Sequence, residues 1–379
     1  MDNLTHSLLG LAAAKSGLDR LSPRATTLCV LAANSPDADI VILLFGDRWT
    51  FLQHHRGITH AIVGVVGLAI LLPLLFFLGD RIISKIRRRP PEVRLKGLLL
   101  ASLLVTLTHP ILDWTNSYGI RPFLPWDSYW IYGDLVFIVD PFIWLVLGTA
   151  CFLLTRRKRF NQIVWLFIAA AVTLLILIAP RGGGLPHMWL VRSLWFLMLV
   201  FAIVLYLKKF GERFRWRVGV TAILVVCLYW SLLMFAHSRA LVKGQAIATT
   251  LLPPTESVTR LAAMPTLANP LNWDCVFETE RATYRFSLDL NSGAPVSRVV
   301  RYEKPAGKLD LALKQVAEDR RTKIFLGFAR FPVARLSGED CAAQTLVQLA
   351  DLRYTEPGNG RGTFTLDLPV DCPQPIPDR

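Results

Sequence analysis

Long apolar runs separated by short basic blocks govern what this chain can fold into. The runs fall at about residues 4–18, 25–45, 60–78, 97–112, 135–155, 162–179, 190–207 and 218–236. Six of them approach the roughly 20 residues that cross the hydrocarbon core of a bilayer. The first two are shorter or interrupted by polar groups. Basic blocks fill alternate gaps: "RIISKIRRRPPEVRLK" at 81–96, "RRKR" at 156–159 and "KKFGERFRWR" at 208–217, with a weaker set, Lys15, Arg20 and Arg24, after the first run. Cytoplasmic loops carry such an excess of Lys and Arg. The gaps 46–59, 113–134 and 180–189, and everything after residue 237, are therefore expected outside. The bookkeeping gives eight crossings with both termini outside, or seven if the first segment is re-entrant.

Composition agrees. Of 379 residues 53% are hydrophobic, and the mean hydropathy of +0.41 excludes an ordinary soluble enzyme. The net charge of +14 does not indicate nucleic acid, because its placement is uneven. Residues 1–240 hold 25 Lys/Arg against 12 Asp/Glu, whereas residues 241–379 hold 17 against 16. The excess sits in loops between spans, where topology and anionic lipid headgroups account for it. The N-terminus "MDNLTHSLLG" lacks the basic region and small-residue cleavage site of a signal peptide.

After Ala236 the texture changes to short alternating runs, "CVFETE", "YRFSLDL", "VSRVVRY", "LVQLADLRY" and "GTFTLDL", broken by Gly, Pro and Asn, with one helical stretch at about 308–321. The expected fold is an α-helical polytopic membrane bundle of about 7–8 spans with a C-terminal β-rich extramembrane domain. Residues 1–145 are membrane helices carrying the polar cluster, 146–238 additional transmembrane helices, and 239–379 the β-rich extracytoplasmic domain. Cys275, Cys341 and Cys372 show no C-x-x-C spacing, which argues against a zinc knuckle and leaves room for one disulfide in an oxidising compartment.

Five of the seven histidines lie within residues 1–109. The expected topology gathers them with several carboxylates at one end of the bundle: His6, Asp37 and Asp39 of "NSPDAD", His54, His55 and His60 of "QHHRGITH", His109 and Asp113 of "THPILD", then Asp134 and Asp140. Residues 141–240 hold a single acid, Glu212. His109 and Asp113 are i,i+4 and share a helix face, although Pro110 fits either a first turn or a kink. Imidazole and carboxylate donors suit Zn, Mn, Fe or Ni, and extra carboxylates allow two ions. A spare carboxylate such as Asp37 would act as base or orient a ligand, and Arg56 would pair with an anionic group such as phosphate. The isolated His187 and His237 read as core residues, and Asp19, Asp47, Asp80 and Asp127 as solvated. The loop "RPFLPWDSYWIYGD" reads either as a substrate mouth or as an interfacial aromatic belt.

The blocks "DNLTHSLLG", "PDAD", "HRGITH", "HPILDWTNSYGIRPF" and "GDLVFIVDP" together resemble the bacterial membrane-bound metal-dependent hydrolase family, whose members are also described as LexA-binding, inner-membrane-associated hydrolases. The resemblance covers about residues 1–145 and continues more loosely through "NPLNWDCVFET". It implies an inner-membrane hydrolase using a divalent transition metal, with Zn first among the candidates. The implied ligands are His6, Asp39, His55, His60, His109 and Asp113, with Asp37 and Arg56 as catalytic groups. The family often has Ser where this chain has Ala61. A phosphoester or lipid-like substrate from the membrane is the expectation. Two other readings stand beside it: a non-catalytic anchor or regulator binding a protein partner, and a transporter whose His and Asp residues form a relay.

Overall fold

A computed structural model of the chain describes residues 1–155, 159–178, 188–292, 296, 298–338, 344–358 and 364–372. His187, Cys341 and positions 156–158 of the "RRKR" block lie outside the described residues. Among the described residues twelve α-helices and seven strands are formed, and contacts divide the chain into two units. The first comprises Met1–Ala38, Ile58–Leu233 and Leu267–Asn269; the second comprises Asp39–Gly57, Met234–Thr266 and Pro270–Arg379.

The first unit is helical. Helix α1 (Asn3–Lys15) starts where the Asp2 carboxylate accepts from the Thr5 amide, and it packs on α2 (Ala25–Asn34). The approach is close because Gly10 faces α2: a Cβ there would lie 2.7 Å from the Cys29 carbonyl oxygen. Helix α1 is mostly buried. With 13 residues it is about 20 Å long, too short to cross. The second apolar run is not one α-helix either. It leaves α2 at Asn34 and continues as a 3₁₀ stretch, Ser35–Leu44, where Pro36 lacks an amide to donate. The short helix α3 (Arg48–His54) belongs to the second unit, whereas α4 (Ile62–Ile86) and α5 (Leu95–Trp114) of the first pack on each other and on α2. Then come α6 (Pro141–Thr155), α7 (Arg159–Ile178), α8 (Met188–Leu207), α9 (Phe210–Phe214) and α10 (Trp216–Leu251).

Among the described residues five helical stretches are long and apolar enough to cross a membrane: Ala25–Leu44, α4, α5, α7 and α10. Helix α6 and Val191–Leu207 are apolar but shorter. Asp80, read from sequence as solvated, is buried near the end of α4. It accepts from the amides of Glu92 and Val93 and from the Arg89 guanidinium, so it ties down the following basic loop.

The second unit is β-rich. Strands β1 (Arg260–Thr266), β2 (Asn269–Glu278), β3 (Ala282–Asp289) and β4 (Val299–Glu303) form one sheet in that order, with β2, β3 and β4 antiparallel. Strands β5 (Pro332–Ser337), β6 (Leu346–Asp351) and β7 (Thr365–Pro369) form a second, antiparallel sheet. Strand β2 is buried on both faces. Trp273, Cys275 and Phe277 pack with Ala240 and Ala248 of α10, while Val276 packs with Phe331, Val333 and Leu352. The helical stretch expected at 308–321 is two helices, α11 (Gly307–Val316) and α12 (Arg320–Phe328), separated where Asp319 caps the second. Cys275 is a free thiol and Cys372 is disulfide-bonded.

Candidate metal centre

Five of the expected site residues meet inside the first unit. Helix α5 runs through Pro110 without ending, so His109 and Asp113 stay on one face with His109 Nε2 3.4 Å from Asp113 Oδ2. His60, in the turn before α4, places its Nε2 3.1 Å from His109 Nε2 and 3.3 Å from Asp113 Oδ2. Asp37, in the 3₁₀ stretch, brings Oδ1 within 3.3 Å of His60 Nε2 and 3.5 Å of His109 Nε2. His6, from α1, stacks on His109 with ring centroids 3.8 Å apart and holds its Nε2 3.4 Å from Asp113 Oδ1. The Met1 ammonium also reaches Asp113. His6, His60, His109 and Asp113 are buried, and the Asp37 side chain keeps 16% exposure, so Asp37 marks the open side.

Three observations fit a cation here. Asp37, His60, His109 and Asp113 each offer one donor atom, all lying within 4.8 Å of one another. A tetrahedral ion with bonds of about 2.0–2.1 Å requires donors about 3.3 Å apart, and five of the six donor pairs lie at 3.1–3.5 Å. Second, His109 Nδ1 is 2.6 Å from the Ala33 carbonyl oxygen. A carbonyl only accepts, so Nδ1 carries a proton and Nε2 is the ring nitrogen turned to the cluster, the atom a neutral imidazole would offer to a cation. The His60 Nε2 atom faces it at 3.1 Å. Third, the His6 side chain is fully buried, yet its Nδ1 makes no hydrogen bond and its Nε2 has only the Asp113 oxygen at 3.4 Å. Such an orphan costs about 1–3 kcal/mol unless something binds it.

The other expected residues lie in the second unit. His55 Nδ1 is 3.1 Å from both oxygens of Asp39, whose Oδ2 also accepts from the Arg56 amide at 3.0 Å. The Arg56 backbone is left-handed, with φ of 51°, and the residue is buried. His54 is exposed.

Asp140 of the expected constellation, and Asp2 beside His6 in sequence, have structural tasks instead. Asp2 accepts from the Thr5 amide and hydroxyl and from Trp144 Nε1. Asp140 caps α6 through the Phe142 and Ile143 amides and accepts from the Tyr229 hydroxyl. The sequence reading missed the Ala33 carbonyl, and no side-chain pattern could have revealed a backbone partner.

Comparison with known proteins adds a coarse identity. Residues 1–183 match the family described as YdjM inner membrane protein. Over 155 residues the chain is 28% identical to the uncharacterized protein YfhP of Bacillus subtilis (strain 168), which takes in 38% of this chain. The chain spans 43% of that relative's length. No solved structure matches the chain. Membrane embedding therefore rests on two independent observations, the apolar helices and the similarity of the N-terminal part to an inner membrane protein family.

Proposed function

We propose that the chain is a metal-dependent hydrolase of the bacterial inner membrane, acting at the outer face on a phosphoester or lipid-like substrate. The observation that carries this reading is the donor set of Asp37, His60, His109 and Asp113, spaced as a first-row divalent ion requires. His6 beside it is the further candidate ligand. A bound Zn²⁺, or Mn, Fe or Ni in its place, would supply Lewis-acid polarisation of the scissile group and make water nucleophilic near neutral pH.

The residues themselves supply orientation and access. Ala33 holds the His109 ring through Nδ1, and Thr59 holds His60 through its Nδ1 at 3.1 Å. Asp37, the part-exposed donor, is placed to meet incoming substrate or water and to take a proton. The Arg56 guanidinium is the proposed anion clamp, with Asp39 and His55 as its companions. Helix α6 and Val191–Leu207 would raise the five spans to seven. The disulfide at Cys372 supports an oxidising surrounding for the C-terminal region, in keeping with basic loops on the cytoplasmic side.

Elemental analysis of the detergent-purified protein, wild type beside a His109→Ala/Asp113→Ala double variant, tests the reading. One or two transition-metal ions per chain, lost in the variant together with hydrolysis of phosphoester or phospholipid substrates, is the expected result. A wild type that stays metal-free after loading with Zn or Mn would end the hydrolase reading and favour the anchor.

A further inference from the structure

Within the first unit a cavity of about 450 Å³ opens between α1, α6, α7 and α8. It is lined by Leu4 and Leu8 from α1, Trp144 and Gly148 from α6, Trp165 from α7 and Trp195 from α8, among others. None of the residues lining it carries a charge. Thr149, Gln162 and Tyr206 are its few polar side chains beside the three tryptophans, each of which has its indole N–H engaged elsewhere. Trp144 donates to Asp2 and Thr5, Trp165 to the Thr155 hydroxyl, and Trp195 to the Thr173 hydroxyl. What faces an occupant is mostly hydrocarbon and ring surface, against which a polar ligand would lose most of its hydrogen bonds to water without replacement.

Shape narrows the occupant further. The lining runs from Trp144 to Phe152 on α6, from Gln162 to Val172 on α7 and from Trp195 to Tyr206 on α8. At 1.5 Å per residue these stretches are roughly 12–17 Å long. Half the hydrocarbon thickness of a bilayer is about 15 Å, the depth that one leaflet's acyl chains fill. We propose that this cavity holds one acyl chain of a glycerophospholipid from the surrounding bilayer. Leu4 and Leu8 stand two positions either side of His6, and residues two apart on a helix do not share a face. Helix α1 is thus a common wall, presenting leucines to the cavity and His6 to the metal cluster. As the tail pocket of a lipid substrate the cavity rests on the hydrolase reading; as an acyl-chain site it does not.

The test uses the full chain in vesicles of phosphatidylethanolamine and phosphatidylglycerol containing a phosphatidylethanolamine with a diazirine on one acyl chain. After irradiation the adducts are mapped by mass spectrometry. Labelling is expected on the cavity-lining Leu145, Gly148, Thr149 and Phe152 of α6 above the level on the exposed Phe160, Phe167 and Leu174 of α7. A Cβ added at Gly148 would meet nothing within 4 Å, so Gly148→Leu fills the cavity without a backbone clash. It should cut labelling of α6 about tenfold, equivalent to losing about 1.4 kcal/mol of binding. Gly67→Leu, an equally open position on exposed α4 surface, should leave it unchanged. Labels confined to the exposed residues, or equal effects of the two variants, would overturn the proposal. The wild-type map decides even if Gly148→Leu fails to fold. Because the readout needs no metal and no turnover, a metal-free protein leaves it intact.

Discussion

Each unit buries a cluster of charged groups, and the two clusters are finished differently. In the second unit Arg353 and Asp351 are both fully buried. Arg353 donates from Nε and Nη2 to Asp351 and from Nη2 to the Phe328 carbonyl, while Asp351 also accepts from the Arg330 and Arg353 amides. In the first unit three buried imidazoles and two carboxylates converge with the Met1 ammonium on Asp113, and His6 has only Asp113 near its Nε2, at 3.4 Å, and nothing at its Nδ1. Burial of charge is expensive in both places. A cluster that satisfies itself is a structural pair; one that concentrates lone pairs in a dry interior has room for a cation. The contrast separates residues that look equally charged and equally buried.

The sharpest way to break the comparison is to damage the closed cluster. Arg353→Ala leaves Asp351 buried without its counter-charge, which should cost about 3–5 kcal/mol. Thermal unfolding of the full chain should show it, with metal content per folded chain unchanged. Next comes the open cluster. Chelation should lower the midpoint of the wild type, since a ligand at about 1,000 times its dissociation constant adds about 4 kcal/mol. The His109→Ala/Asp113→Ala variant should be indifferent to chelator. Equal sensitivity in both proteins would mean that the metal sits elsewhere.

A smaller effect isolates His6. In chelated protein His6→Phe should be neutral or stabilising by about 1 kcal/mol, because an aromatic ring replaces one whose Nδ1 has no partner and whose Nε2 has only Asp113 at 3.4 Å. A clear loss of stability would show that His6 is held by a structural bond. An effect confined to alkaline pH lies in the second unit, where burial pushes the Cys275 thiol up from 9.0 to about 12. The unfolded chain releases this proton near pH 9 and the folded chain near 12, so stability falls as pH rises through that window. The slope is at most about 1.4 kcal/mol per pH unit. Cys275→Ala should remove that slope whatever it does to the midpoint, and native Cys275 should resist maleimide at pH 8.

Much of the architecture was legible in the residues. The apolar runs became helices, and the alternating segments around Val276, Phe286, Leu349 and Leu366 became strands. Strands β1 and β5 escaped notice, because "RLAAMPT" and "PVARLS" carry alanines and a proline in place of β-branched residues. Their strand state comes from pairing and from burial of Met264 and Val333 in the core. Asp80 was misread because nothing near it in sequence announces the amides of Glu92 and Val93 that fold back onto it.

The candidate site divides in the same way. The pairing of His109 with Asp113 is set by helical period and needs no knowledge of the rest of the chain. That His6, Asp37 and His60 join them was settled by packing of α1, α2, α4 and α5, across separations of up to 107 residues. The placement of Asp39, His55 and Arg56 in the other unit was equally out of reach, for Asp37 and Asp39 are two residues apart and the break falls between them. Hydropathy, charge bias and i,i+4 spacing are properties of one segment, fixed by its own period and by the bilayer. Which segments meet, and whether their donors are satisfied when they do, depends on side chains filling space between elements, and only the tertiary structure decides that.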